Sequence, residues 1–88
     1  MRVPVRRPTY SPFCALYRLF DRDGRLLYVG IAFVPEWRLE RHNRRPWGDD
    51  INSWTVEWFP TRDAARLAEK VAIRDEVPIH NKSRPRVP

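Results

Sequence analysis

Six polar side chains stand along this chain at spacings that suit one pocket: Tyr17 and Tyr28 in two apolar, strand-like runs, then Arg38, His42, Glu69 and Asn81. A phenol or an imidazole can orient or deprotonate water, a carboxylate can hold a hard cation, and a guanidinium can hold an anion. Such a set suits hydrolysis at an anionic centre. Each member also has an ordinary structural use. The tyrosines could be plain aromatic strand residues, and Arg38 could pair with Glu36, Glu40 or the Asp49–Asp50 pair. Glu69 could pair with Arg66, and Asn81 could be a turn residue.

The elements that must position these groups follow from the pattern around them. Asp23-Gly24 lies between the runs Cys14–Phe20 and Leu26–Gly30, a strong hairpin signal. An even loop of two or four residues places Tyr17 and Tyr28 on one face of the sheet, diagonal or directly opposite, whereas a three-residue loop separates them. Asp21-Arg-Asp23-Gly24 also opens like a calcium loop, but the later ligands of such a loop are missing, so a turn is the better reading.

Pro35 is well placed as a first helical residue, and a helix to about Arg44 sets Arg38 and His42 one turn apart on one face. Leu39 lies beside that face, and Trp37, Arg41 and Arg44 project away. Pro46–Asp50 reads as a turn with a short helical turn after it, and Trp54–Phe59 alternates like a third strand. Thr61 caps a second helix whose expected core stripe is Ala64, Leu67, Ala68, Val71 and Ala72, with Glu69 at its edge. Pro78 ends the helix, leaving Ile79–Asn81 to fold back on the sheet.

Eighty-eight residues make one domain, and a chain this short buries only about 60% of its unfolded surface. No apolar run approaches the ~20 residues of a membrane span and no signal-peptide core is present, so no membrane partner and a cytoplasmic location, nucleoid-associated if bacterial, are expected. The single cysteine, Cys14, agrees with a reducing compartment and reads as a small buried core residue.

The net charge of +6 resides in the tails, where Arg2, Arg6, Arg7, Lys82, Arg84 and Arg86 have no acidic neighbours, while residues 13–81 are formally neutral. Proline is also concentrated there. Three regions are therefore expected: a basic, Pro-rich arm over 1–12, a compact domain over 13–82 and a basic tail over 83–88. Basic arms on a neutral body suit a polyanion held by counterion release.

Taken together the residues resemble the GIY-YIG endonuclease family. Ala15-Leu16-Tyr17 is similar to its first motif, with alanine where the family name has glycine, and Tyr28-Val29-Gly30 to its second. Trp37-Arg38-Leu39-Glu40-Arg41-His42 resembles the family's first helix, Glu69 its metal-binding glutamate, and Asn81 the asparagine near its catalytic centre. The match covers about residues 13–82. It implies an α+β fold, a small three-stranded antiparallel-type sheet flanked by helices, and hydrolysis of phosphodiester bonds with one divalent metal ion.

Under that resemblance Glu69 holds Mg2+ or Mn2+, Arg38 contacts the scissile phosphate, and Tyr28 positions phosphate or water. Tyr17 activates the water, helped by cations that lower its phenol from the usual ~10, or His42 is the base and Tyr17 the orienting group. Asn81 orients the glutamate or binds backbone. Arg6, Arg7, Arg41, Arg44, Arg45, Lys82 and Arg84 are the expected nucleic-acid contacts, and Trp37 and Trp47 the better candidates for stacking on bases. Trp54 and Trp58 read as core. The expected partner is DNA, with a second copy of the chain or a separate DNA-targeting protein to direct paired cuts. The alternative is a catalytically idle nucleic-acid-binding module of the same fold.

Overall fold

The computed structural model of the chain describes residues 13–81. The expected arms, with Arg6, Arg7, Lys82 and Arg84, lie outside them.

Cys14–Phe20 (β1) is apolar at nearly every position because it becomes the centre of the sheet. Leu26–Ala32 (β2) and Ser53–Phe59 (β3) pair with its two edges, both antiparallel, in the order β2-β1-β3. Its side chains therefore feed two cores. Ala15, Tyr17 and Leu19 join Trp54 and Val56 on one face, where Leu39 and Trp47 pack, while Cys14 and Leu16 join Val29 and Ile31 on the other, with Ala65 and Ala72. The first face is covered by the helix Pro35–Asn43 (α1) and a single 3-10 turn, Gly48–Asp50; the second by the helix Arg62–Glu76 (α2). The fold is α+β: an antiparallel three-stranded sheet between two helices.

The hairpin departs from the even loop that would place the tyrosines on one face. Asp21 N–H donates to the Arg25 carbonyl at 3.0 Å, so three residues, Arg22 to Gly24, form the loop, with Gly24 at φ 82°. The Asp21 carboxylate closes it, accepting from Asp23 N–H and Arg25 N–H at 2.9 and 2.8 Å. Such a loop alone would separate Tyr17 from Tyr28. A bulge reverses this: Leu19 faces Tyr28 but Phe20 faces Leu26, so Leu27 is an extra residue in β2. Tyr17 then pairs with Gly30, and Tyr28 is its diagonal neighbour on the same face. The bulge also serves the closing segment, because the Leu26 and Leu27 carbonyls accept from Ile79 and His80 N–H at 3.1 and 2.8 Å.

Thr61 caps α2, its hydroxyl accepting from Ala64 N–H at 3.1 Å, and Val77 ends it in the left-handed region at φ 49°. The phase of the helix corrects the expected stripe. Ala65, Ala68, Ala72 and Ile73 pack on the sheet, whereas Leu67 and Val71 are 65% and 42% exposed. Alanines let the helix backbone lie close to the sheet, and the larger side chains are turned out. Arg18, midway along β1, ties the far end of α2 down through a two-pronged pair with Glu76, at 2.9 and 2.8 Å.

Candidate active site

Tyr17 and His42 form the centre. Tyr17 is fully buried on β1, and its hydroxyl lies 2.9 Å from Nε2 of His42, also buried, on the inner face of α1. Gly30 makes this possible. A Cβ there would stand 2.5 Å from the Tyr17 hydroxyl and 2.9 Å from the Tyr28 ring, so the glycine of Tyr28-Val29-Gly30 is required by the close approach of both rings. Tyr28, half-buried, has its ring 4.4 Å from that of His42 and 6.1 Å from that of Tyr17. Ala15, the departure from the family's glycine, is fully enclosed, facing Ala32 and Trp58 on the neighbouring strands.

Burial sets the protonation of the pair. It pulls His42 down to about 4, with Arg45, Arg38 and Arg41 adding repulsion. His42 is therefore neutral near pH 7. Burial likewise raises the Tyr17 phenol well above its ordinary value, joined by Tyr28 and Glu69, and this outweighs the opposing influence of the nearby Arg38 cation. Arg38 by itself therefore does not lower the phenol against desolvation. In the His42 tautomer that carries its proton on Nδ1, the Tyr17 O–H donates to Nε2. Nδ1 then lies buried with no hydrogen-bond partner among the described residues.

Arg38 is half-buried one turn before His42 and makes no ion pair among the described residues. The structural alternatives of Glu36, Glu40 and Asp49–Asp50 are therefore unused, and the guanidinium bears on Tyr17 instead. Glu69 is on α2, one turn from Ala65, Ala72 and Ile73, within the sheet-facing stripe and not at its edge. It is half-buried, and its charge acts on both Tyr17 and Cys14.

Asn81 is buried at the outer edge of β2, accepting from Val29 N–H at 2.8 Å and donating to the Val29 carbonyl at 3.0 Å. Its amide extends the sheet as a strand backbone would, one residue from Tyr28. Arg41 on α1 and Arg44 and Arg45 just beyond it are exposed, Arg44 near Glu40. Trp37 is 70% exposed, whereas Trp47 is partly buried. Its ring lies 5.5 Å from His42, 6.0 Å from Tyr28 and 4.4 Å from His80, nearly parallel to the last. Trp47 is a wall of the site, a role that its sequence position, next to an arginine-rich run, conceals.

Among the described residues no three His, Cys, Asp or Glu side chains converge on one point. A lone carboxylate fits an ion such as Mg2+ that keeps several waters and takes further oxygens from phosphate, not one held in a protein cage. No protein-family model, no curated protein and no solved structure matches the chain.

Proposed function

We propose that the chain is a divalent-metal-dependent DNA endonuclease of GIY-YIG type. The observation that carries this reading is the buried Tyr17–His42 hydrogen bond with an arginine and a glutamate, from separate helices, both acting on the same phenol.

His42, neutral near pH 7, has a place for a proton, and burial disfavours a Tyr17 phenolate. The two therefore act as a relay. A water gives its proton to the Tyr17 oxygen while the phenolic proton passes to Nε2, so no free phenolate forms. Arg38 binds the scissile phosphate and offsets the charge that builds on its oxygens, and Tyr28 orients water or phosphate at the more open side. Glu69 would hold Mg2+ or Mn2+, which when bound supplies further charge neutralisation at the phosphate. Asn81 holds the edge of β2, and with it Tyr28, in register.

One observation favours the second reading, a binding module without turnover: Tyr17 has no exposed surface. The relay then requires the pocket to open when DNA binds. Cleavage of supercoiled plasmid decides between them. Wild type should nick with Mg2+ or Mn2+ and not with chelator, and folded Glu69→Ala should lose at least about 100-fold, the scale of one preorganised electrostatic group. Binding without nicking by folded wild type favours the module, and equal nicking by both proteins removes Glu69 from the site.

A further inference from the structure

A second opening lies beside the reactive pair. Ala32, Phe33 and Val34 at the end of β2, Trp37, Arg38 and Arg41 on α1 and Arg62 at the start of α2 enclose a cleft of about 250 Å3. Three features set it apart from ordinary surface. Its three arginines come from two elements, none makes an ion pair among the described residues, and no acid lines it. Two aromatic side chains stand open on its rim, Trp37 at 70% and Phe33 at 41% exposure. Arg62 is held with its guanidinium 5.9 Å above the Phe33 ring, so one cation is already oriented by an aromatic face.

Arg38 joins this cleft to the centre, since it lines the one and acts on Tyr17 in the other. The chemistry wanted here is an anion next to a flat aromatic surface. A phosphodiester with its base free to stack satisfies both. A duplex does not present that combination, because its bases are already stacked inward, and the face of Trp37 is reached only by an unpaired or extruded base.

We propose that the cleft is a subsite for one unpaired nucleotide next to the scissile phosphate, with Trp37 as the stacking platform and Arg41 and Arg62 on the flanking phosphates. The substrate class is then DNA with a single-stranded segment, such as a flap or a frayed end. This rests on the reading of the neighbouring site as one that handles DNA, and it adds Arg62 and Phe33 to the residues that do so.

The test is fluorescence anisotropy in chelator with three labelled oligonucleotides, a single strand, a blunt duplex and a duplex with a single-stranded flap, and with heparin as a polyanion lacking bases. Wild type, Trp37→Ala and Arg62→Ala are compared after thermal melts confirm folding; both side chains are exposed, so both variants should fold. Trp37→Ala should weaken single-strand and flap binding about 5- to 150-fold and leave duplex and heparin binding unchanged. Arg62→Ala should lower the log-log salt slope on single strands by about 0.7. Unchanged single-strand binding, or an equal loss on duplex or heparin, overturns the subsite. Because cleavage is not the readout, the two readings fail separately. Plasmid nicking with Trp37-independent binding keeps the nuclease and removes the subsite, and Trp37-dependent binding without nicking does the reverse.

Discussion

The depressed ionisation of His42 is the residue-scale property that most constrains the chemistry, because it decides which member of the buried pair can receive a proton at neutral pH. An unfolded histidine titrates near 6.5, whereas His42 in the fold is held down at about 4 by burial and three arginines. Between those values the unfolded chain binds more protons than the native one, so this residue makes stability rise with pH through that window and level off above it. Single-turnover cleavage should therefore hold its rate through pH 6 and fall only toward 4. An NMR titration of the His42 ring tests the cause directly, and a midpoint near 6.5 would show that the ring is solvated. Replacing His42 by Gln should remove its share of the stability slope in denaturant melts at pH 4.5 and 7. That Tyr17 and His42 share one site was expected from the family resemblance, while helical spacing placed Arg38 one turn from His42. The inversion of acidity was not legible, because desolvation depends on what covers the ring, and Trp47, a principal cover, reaches it from a turn whose position no local pattern fixes.

Among the elements, the strands, the two helices and their stops follow from alternation, Asp23-Gly24, Pro35, Thr61 and Pro78. Two features do not follow, and both concern phase. The bulge at Leu27 is invisible in the sequence because Leu26 and Leu27 are both apolar, so either could face inward. The rotation of α2 was hidden because a hydropathy stripe favours Leu67 and Val71 over alanines, while close packing on a sheet selects the small side chains. The end of α2 carries the one strained backbone position among the described residues, Val77, a β-branched residue at φ 49° and 74% exposed. A left-handed residue costs about 1–2 kcal/mol unless it is glycine, and glycine gives back about 0.4–1 kcal/mol through the entropy of the unfolded chain. Val77→Gly should therefore stabilise the domain by up to about 1 kcal/mol, which in a domain this size raises the melting temperature by roughly 4–8 °C per kcal/mol. Calorimetry checks it, and a lowered melting temperature would mean that Val77 positions Ile79 to Asn81 through packing worth more than its strain.

At the scale of the whole molecule, charge is unevenly placed among the described residues. Residues 13–81 are formally neutral, but they are polarised. Arg38, Arg41, Arg44 and Arg45 lie on α1 and just beyond it, against Glu36 and Glu40, with Arg62 across the cleft, whereas four aspartates, Asp21, Asp23, Asp49 and Asp50, and two arginines, Arg22 and Arg25, line a separate cavity of about 480 Å3 at the hairpin end. Under the proposed reading, this net excess of cations on one side and of carboxylates on the other favours approach of a polyanion to the first. The net +6 comes from Arg2, Arg6, Arg7, Lys82, Arg84 and Arg86, so affinity and chemistry should separate. Replacing these six with glutamine should flatten the log-log salt dependence of duplex binding by about 0.9 for each phosphate that the tails no longer neutralise. Single-turnover cleavage at saturating DNA should change less than about threefold, because the groups that act on the phosphate in this reading, Arg38, Tyr17 and His42, all lie within the neutral body. Salt titrations of binding, paired with the saturated rate, give both numbers from one pair of proteins. A saturated rate that collapses while Arg38 and Glu69 are intact would put one or more of the six cations at the scissile phosphate, and the separation of affinity from chemistry would be wrong.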